Sequence, residues 1–197
     1  MGDYTGIHHL AFVTGDMEAT IRFWRDLLGM RLVHSHGGTG YRQYYFEISP
    51  NNLLTFFEWD GAEPVKPRRH GDPVRGPVLF DHISIGVESQ ERLWDLINRF
   101  VEAELPMTDV VDHGFFHSIY TFDPNGIPVE FSCDVAPHDV RTKPVLGDRD
   151  PSPTALEGVE PVLEHWPEPM EPIPDDERSI LTGDGRELFV EGDLDPS

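Results

Sequence analysis

One stretch of this chain occurs twice. IHHLAFVTGDMEATIRFWRDLLG and FDHISIGVESQERLWDLINRF superimpose at a shift of 73 positions, which places His9 on His82, Leu10 on Ile83, Phe12 on Ile85 and Asp16 on Ser89. In each copy an alternating apolar run passes through a capping residue into an amphipathic helix. The duplication therefore restricts the chain to folds assembled from two equivalent modules. A histidine at the same place in both copies points to a shared site.

The spacing predicts an α+β protein of two βαβββ modules, whose curved mixed sheets surround a metal-binding cup. The first module covers residues 1–61. It opens with a strand over Ile7 to Val13, where His9, Ala11 and Val13 share one face and His8, Leu10 and Phe12 the other. Asp16 caps a helix running to about Leu28, with Ile21, Trp24 and Leu28 at core spacing and Gly29 as its stop. Strands follow at Arg31 to His34, Tyr41 to Ile48 and Leu53 to Trp59, interrupted by Gly37-Gly38 and by Ser49 to Asn52.

Residues 62–77 are dense in Pro, Gly and charge and read as a connector. The second module spans 78–136: a strand over Phe80 to Val87, a helix capped by Ser89 with Leu93, Ile97 and Phe100 on one face, and strands near 107–112, 115–122 and 127–132. Beyond it, residues 137–197 form an acidic, Pro-rich tail that cannot build a core. It reads as a solvated tail or as an arm docking through Trp166, Ile180, Leu181, Leu188 and Phe189. The aromatic residues favour the arm.

Composition narrows the function. A formal charge of −21 repels nucleic acid and anionic membranes, whose binding draws on Lys and Arg, although the acidic excess is concentrated in the tail. No apolar run reaches spanning length, and the sequence start lacks a signal-peptide pattern, so the expectation is a cytoplasmic protein. The single cysteine, Cys133, excludes an internal disulfide and agrees with a reducing compartment.

Strand alternation puts His9 and His82 on the face away from their helices. Glu130 joins them on a strand that follows the tight Asp123-Pro124-Asn125-Gly126 turn. Two imidazoles and one carboxylate make a facial triad for a divalent ion with open positions for substrate or dioxygen. Fe(II), Mn(II), Ni(II) and Zn(II) all suit these donors, and the donors alone leave the choice among them open. Tyr120 is a phenol on the neighbouring strand, a donor towards the pocket.

With FWRDLLGMRLV in the first module and DPNGIPVEF closing the second, residues 6–134 resemble the vicinal oxygen chelate superfamily of glyoxalase I, fosfomycin-resistance enzymes, bleomycin-binding proteins and type I extradiol dioxygenases. Matching the module ends LLTFFEWD and VEFSCD places Leu54 opposite Glu130, so the resemblance implies three metal ligands, His9, His82 and Glu130, rather than the four of glyoxalase I. The run from His113 through Ile119-Tyr120 and Asp123-Pro124 to Glu130 resembles the extradiol dioxygenase signature. It implies that Tyr120 hydrogen-bonds substrate or bound oxygen and that His113 closes the pocket.

One position departs from that pattern. Where those enzymes carry an acid/base histidine, this sequence has Asn52, which cannot shuttle a proton at neutral pH, leaving His113 and His117 as candidates. His117 alternates out of phase with Tyr120. His34, His36, His70, His138 and His165 read as solvated loop or tail residues.

The expected function is a dioxygenase with Fe(II) as the favoured metal, acting on a small phenolic or catecholic compound, as a homodimer. The alternatives are a metal-dependent lyase, isomerase or epimerase, or a protein that binds a small molecule without catalysis. The two modules can close one cup within a chain or exchange between two chains.

Overall fold

Alternating apolar residues in each copy of the repeat build a four-stranded sheet covered on one face by a helix. The computed structural model describes residues 7–73, 80–160, 173–183 and 186–189. In the first module β1 (His9–Thr14), β2 (Arg31–Gly38), β3 (Tyr41–Ser49) and β4 (Asn52–Trp59) form a sheet of order β1-β4-β3-β2. In the second, β5 (Ile83–Gly86), β6 (Val111–Asp112), β7 (Phe116–Phe122) and β8 (Pro128–Asp134) form a sheet of order β5-β8-β7-β6. The outer pairs β1–β4 and β5–β8 are parallel and the rest antiparallel, so both sheets are mixed and the protein is α+β.

The helices start where capping chemistry dictates. Asp16 accepts from Ala19 N and Glu58 Oε1 accepts from Met17 N at 2.8 Å, opening α1 (Met17–Ile21). The helix then widens into a π-helical stretch, Arg22–Leu27, where Leu28 N donates to Phe23 O at 3.1 Å. Ser89 caps α2 (Gln90–Glu102).

Several boundaries differ from the sequence reading, and the opening strand of the second module is Ile83–Gly86 rather than Phe80 to Val87, which leaves His82 just before it. β2 runs through Gly37 and Gly38, and the hairpin turns at Gly40 (φ +85°), because two glycines lie flat against Tyr41 and Arg42 where a Cβ would be crowded. β6 shrinks to two residues, leaving Met107 only an isolated bridge to Thr121.

Both modules belong to one unit, residues 1–139, and their helix-covered faces share one core of Met17, Trp24, Phe46, Leu54 and Phe56 with Leu93, Phe100, Ile119, Val129 and Phe131. Polar bonds fasten the join: Trp24 Nε1 donates to Asp123 Oδ2 at 3.4 Å, and Asn125 Nδ2 donates to Thr20 Oγ1 at 3.2 Å. The opposite faces, carrying His9 and Tyr45 in one sheet and Tyr120 and Glu130 in the other, point away from that shared core.

A second unit, residues 140–197, contains only 3₁₀ turns at Ala155–Glu157, Asp175–Glu177 and Arg186–Phe189 among its described residues. Of the residues expected to dock, Ile180 and Leu181 are 97% and 91% exposed, Phe189 is exposed and Leu188 is half-buried. Trp166 and His165 lie outside the described residues. No helix among the described residues is long and apolar enough to cross a membrane.

Candidate metal centre

Strand register converts the sequence repeat into equivalent positions in space. Ala11 lies beside Thr55 in the first sheet as Ser84 lies beside Glu130 in the second. Across the next strand Tyr45 faces Thr55 as Tyr120 faces Glu130. Thr55 is thus the counterpart of Glu130, and Tyr45 that of Tyr120.

This corrects the placement of Leu54 by one residue. Leu54 occupies the position of Val129, fully buried under the helix, because each step along a strand reverses the face. Thr55 Oγ1 accepts from Gln43 Nε2 at 2.9 Å and offers no charged donor, so no fourth ligand appears at this position.

The second sheet gathers the chemistry. His82 stands at the entry to β5, with Nε2 3.2 Å from Glu130 Oε2. Nδ1 of the same ring lies 2.6 Å from Asp81 Oδ1, so Nδ1 carries a proton towards Asp81 and Nε2 is the ring atom that faces Glu130. Arg68 Nη2 donates to Asp81 Oδ2 at 2.9 Å, and Gly71 N donates to the same carboxylate at 3.3 Å.

Glu130 is 3% exposed. Burial pushes its carboxyl up, but the hydroxyls of Tyr120, Ser84 and Ser118 and the neighbouring His82 outweigh burial and hold it below its ordinary value. None of these groups reaches Oε1 in bonding geometry, and that oxygen is buried without a hydrogen-bond partner.

These donors fit a divalent cation. Two ligand atoms each about 2.1 Å from one ion sit about 3 Å apart, which is the His82–Glu130 spacing. A buried carboxylate oxygen with no donor is costly unless a cation shares the space.

Tyr120 stands over this pair. Burial, with Glu130 beside it, pushes its phenol up to about 12, so it keeps its proton and remains a donor at neutral pH. Its hydroxyl is 3.2 Å from His113 Nε2, which also lies 3.2 Å from Ser118 Oγ, and the His113 ring stacks on Phe116.

His70 lies flat on the Tyr120 ring, with centroids 3.5 Å apart and planes 4° apart, and its ring is 6.3 Å from that of His82. The sequence reading placed His70 in solvent. The connector instead packs on the second module: Val65 N donates to Asn125 O at 2.9 Å and Arg68 Nη2 to Asp81 Oδ2 at 2.9 Å. His70, Asp81 and Arg68 were not among the expected site residues. Their only sequence signal is Asp81 preceding His82 and a basic, histidine-bearing turn inside a loop-forming composition.

The other expected residues have other partners. His9, on the outer face of the first sheet, has Nδ1 2.9 Å from His8 Nδ1 and its ring 6.2 Å from Tyr45. It does not meet His82 and Glu130 in the same chain: among the described residues no three His, Cys, Asp or Glu side chains are grouped to hold a metal. Asn52 closes the β3–β4 hairpin, donating to Ser49 Oγ at 2.8 Å. His117 pairs across strands with Cys133 on the face opposite Tyr120 and lies 3.6 Å from Asp112 Oδ1.

A family model described as Glyoxalase/Bleomycin resistance protein/Dioxygenase superfamily matches residues 6–131. The chain belongs to this superfamily. An iron-dependent extradiol dioxygenase from Rhodococcus jostii (strain RHA1) is 26% identical over 145 residues, covering 66% of this chain and 43% of that protein, so this chain spans less than half the length of that relative.

Among solved structures, a glyoxylase/bleomycin resistance protein/dioxygenase domain from Frankia sp. EAN1pec aligns at TM-score 0.57 and 19% identity, covering 68% of this chain and all of that one. A fosfomycin resistance protein from Listeria monocytogenes, complexed with Mn(II), aligns at TM-score 0.50 and 15% identity, covering 68% and 95%. These likenesses establish the superfamily fold. Members of one fold run different reactions, so activity must be argued from the site.

Proposed function

We propose that this superfamily member is a divalent-metal-dependent dioxygenase of the extradiol type. It acts on a small catecholic or phenolic compound, as a homodimer whose sites each take His82 and Glu130 from one copy and His9 from the other. The observation that carries this reading is the His82–Glu130 pair, 3.2 Å apart and with a buried oxygen lacking a donor, in a chain whose own His9 lies elsewhere. The likeness to an iron-dependent extradiol dioxygenase supports Fe(II), and the mixed imidazole and carboxylate donors suit Mn(II) as well.

The chemistry a bound Fe(II) supplies is Lewis acidity towards vicinal oxygens and one-electron exchange with dioxygen. The chain supplies orientation and proton handling. Asp81, itself fixed by Arg68, locks the His82 ring with its Nε2 lone pair inward. Tyr120 keeps its proton and donates a hydrogen bond to oxygen atoms carrying developing charge. His70, seated on the Tyr120 face, is the imidazole placed to take a catechol proton and return it to product, the task Asn52 cannot perform. His113 holds the Tyr120 hydroxyl from the other side.

Two measurements test the proposal. Protein reconstituted anaerobically with Fe(II) is expected to consume one dioxygen per catechol cleaved, across a panel of substituted catechols. Metal binding without uptake would overturn the dioxygenase assignment and favour lyase or isomerase chemistry.

His9→Ala and His82→Ala are each expected to be inactive, and mixing them under subunit exchange should restore activity, because one site in each heterodimer then holds every ligand. Failure to complement, with exchange verified, would overturn the shared site.

A further inference from the structure

The face of the first sheet carries a histidine cluster of its own. Tyr45, the counterpart of Tyr120, has His34, His36 and His9 around it at ring distances of 5.2, 6.0 and 6.2 Å. Tyr120 likewise has His70, His82 and His113 at 3.5, 5.6 and 6.4 Å. The second sheet adds Glu130 to its histidines, and the first has Thr55 there, already bonded to Gln43. No carboxylate stands at that position, and the donors that His9, His34 and His36 bring to Tyr45 are imidazoles.

Within this cluster His34 and His36 form a chelating pair. They lie two residues apart on β2, so both project from one face, and His34 Nε2 and His36 Nδ1 are 3.2 Å apart. That spacing matches the roughly 3 Å between two imidazole nitrogens on one ion. The rings are half-buried on an edge strand, backed by Tyr45 and, for His36, by the edge of Tyr41. Burial, and then the neighbouring His36, hold His34 below its ordinary value.

We propose that His34 and His36 form a second cation site, specific for late first-row ions such as copper(II), nickel(II) and zinc(II). Donor type sets the preference. Affinity of nitrogen sites rises from Mn(II) and Fe(II) towards Ni(II) and Cu(II), and without a carboxylate the pair gives the harder ions little. The imidazole pair would thus take copper, nickel or zinc, whereas the mixed donors of the His82–Glu130 centre also accept iron and manganese. This site does not depend on the dioxygenase reading.

The test uses the full chain carrying His82→Ala, which removes the other candidate centre, titrated with Cu(II) at neutral pH and followed by electron paramagnetic resonance. One equivalent with hyperfine coupling to two nitrogens is expected, with at least ten-fold weaker binding when His34→Asn or His36→Asn is added. Both substitutions lie on an edge strand, and circular dichroism checks their folding. Mn(II) is expected not to compete.

Binding unchanged in both added variants would overturn the site by assigning the copper to other histidines. Coupling to a single nitrogen would overturn the chelate. Effective competition by Mn(II) would overturn the donor-based selectivity.

Discussion

Removing Asp81 should weaken metal binding without touching a ligand. Its Oδ1 lies 2.6 Å from His82 Nδ1, and Arg68 and Gly71 hold the carboxylate in place. In Asp81→Ala the imidazole loses both the tautomer preference and the anchor that aim Nε2 at Glu130. A charge-assisted hydrogen bond is worth about 1.5–3 kcal/mol. The Asp81 side chain is 39% exposed, so screening puts the loss at the lower end, about 1.5 kcal/mol, or roughly ten-fold in affinity.

Asp81→Asn keeps an acceptor and should lose about half that free energy. Arg68→Met acts through Asp81, so its effect should vanish in the Asp81→Ala background. Competition titration of Mn(II) against a chelating indicator measures all three. Wild-type affinity in a folded Asp81→Ala protein, or full additivity with Arg68→Met, would refute the positioning argument. Absence of metal binding by the wild type would instead refute the centre itself.

Three other perturbations separate structural from chemical roles. Leu54→Ala should cost about 3 kcal/mol in denaturant unfolding and leave metal stoichiometry unchanged, because Leu54 lies in the core; a negligible cost would return it to the cup face.

Glu58 bonds Arg42 and Met17 N, and these contacts, Arg42 foremost, hold its carboxyl below the unfolded value of 4.5. Its contribution is therefore present above pH 4.5 and lost as pH falls through the folded value. Glu58→Gln should cost about 1 kcal/mol at pH 7 and flatten that acid limb of the stability curve. Gly126 has φ +76°, and a Cβ there would collide with Val65 O, so Gly126→Ala should dislodge the connector carrying Arg68 and His70 and lower metal affinity in the same direction as Asp81→Ala.

The repeat, the alternation around His9 and His82 and the caps Asp16 and Ser89 are local patterns, and they alone determined an α+β protein of two βαβββ modules. Strand parity likewise placed Tyr120 and Glu130 on one face and set His117 on the other. Tertiary structure decided what depends on pairing between distant strands and on where a loop comes to rest. Register across β1 and β4 put Thr55 opposite Tyr45 and sent Leu54 into the core, a one-residue difference that no comparison of letters resolves.

The connector illustrates the second limit. Its Pro- and Gly-rich composition disfavours helix and strand, and neither forms among its described residues, but the bonds from Arg68 to Asp81 and from Val65 to Asn125, and the stack of His70 on Tyr120, join residues remote from any periodic pattern. The separation of His9 from His82 follows from the same cause. A repeat specifies two equivalent modules, whereas the packing of their helix faces against one shared core decides that the two histidine-bearing faces point away from it.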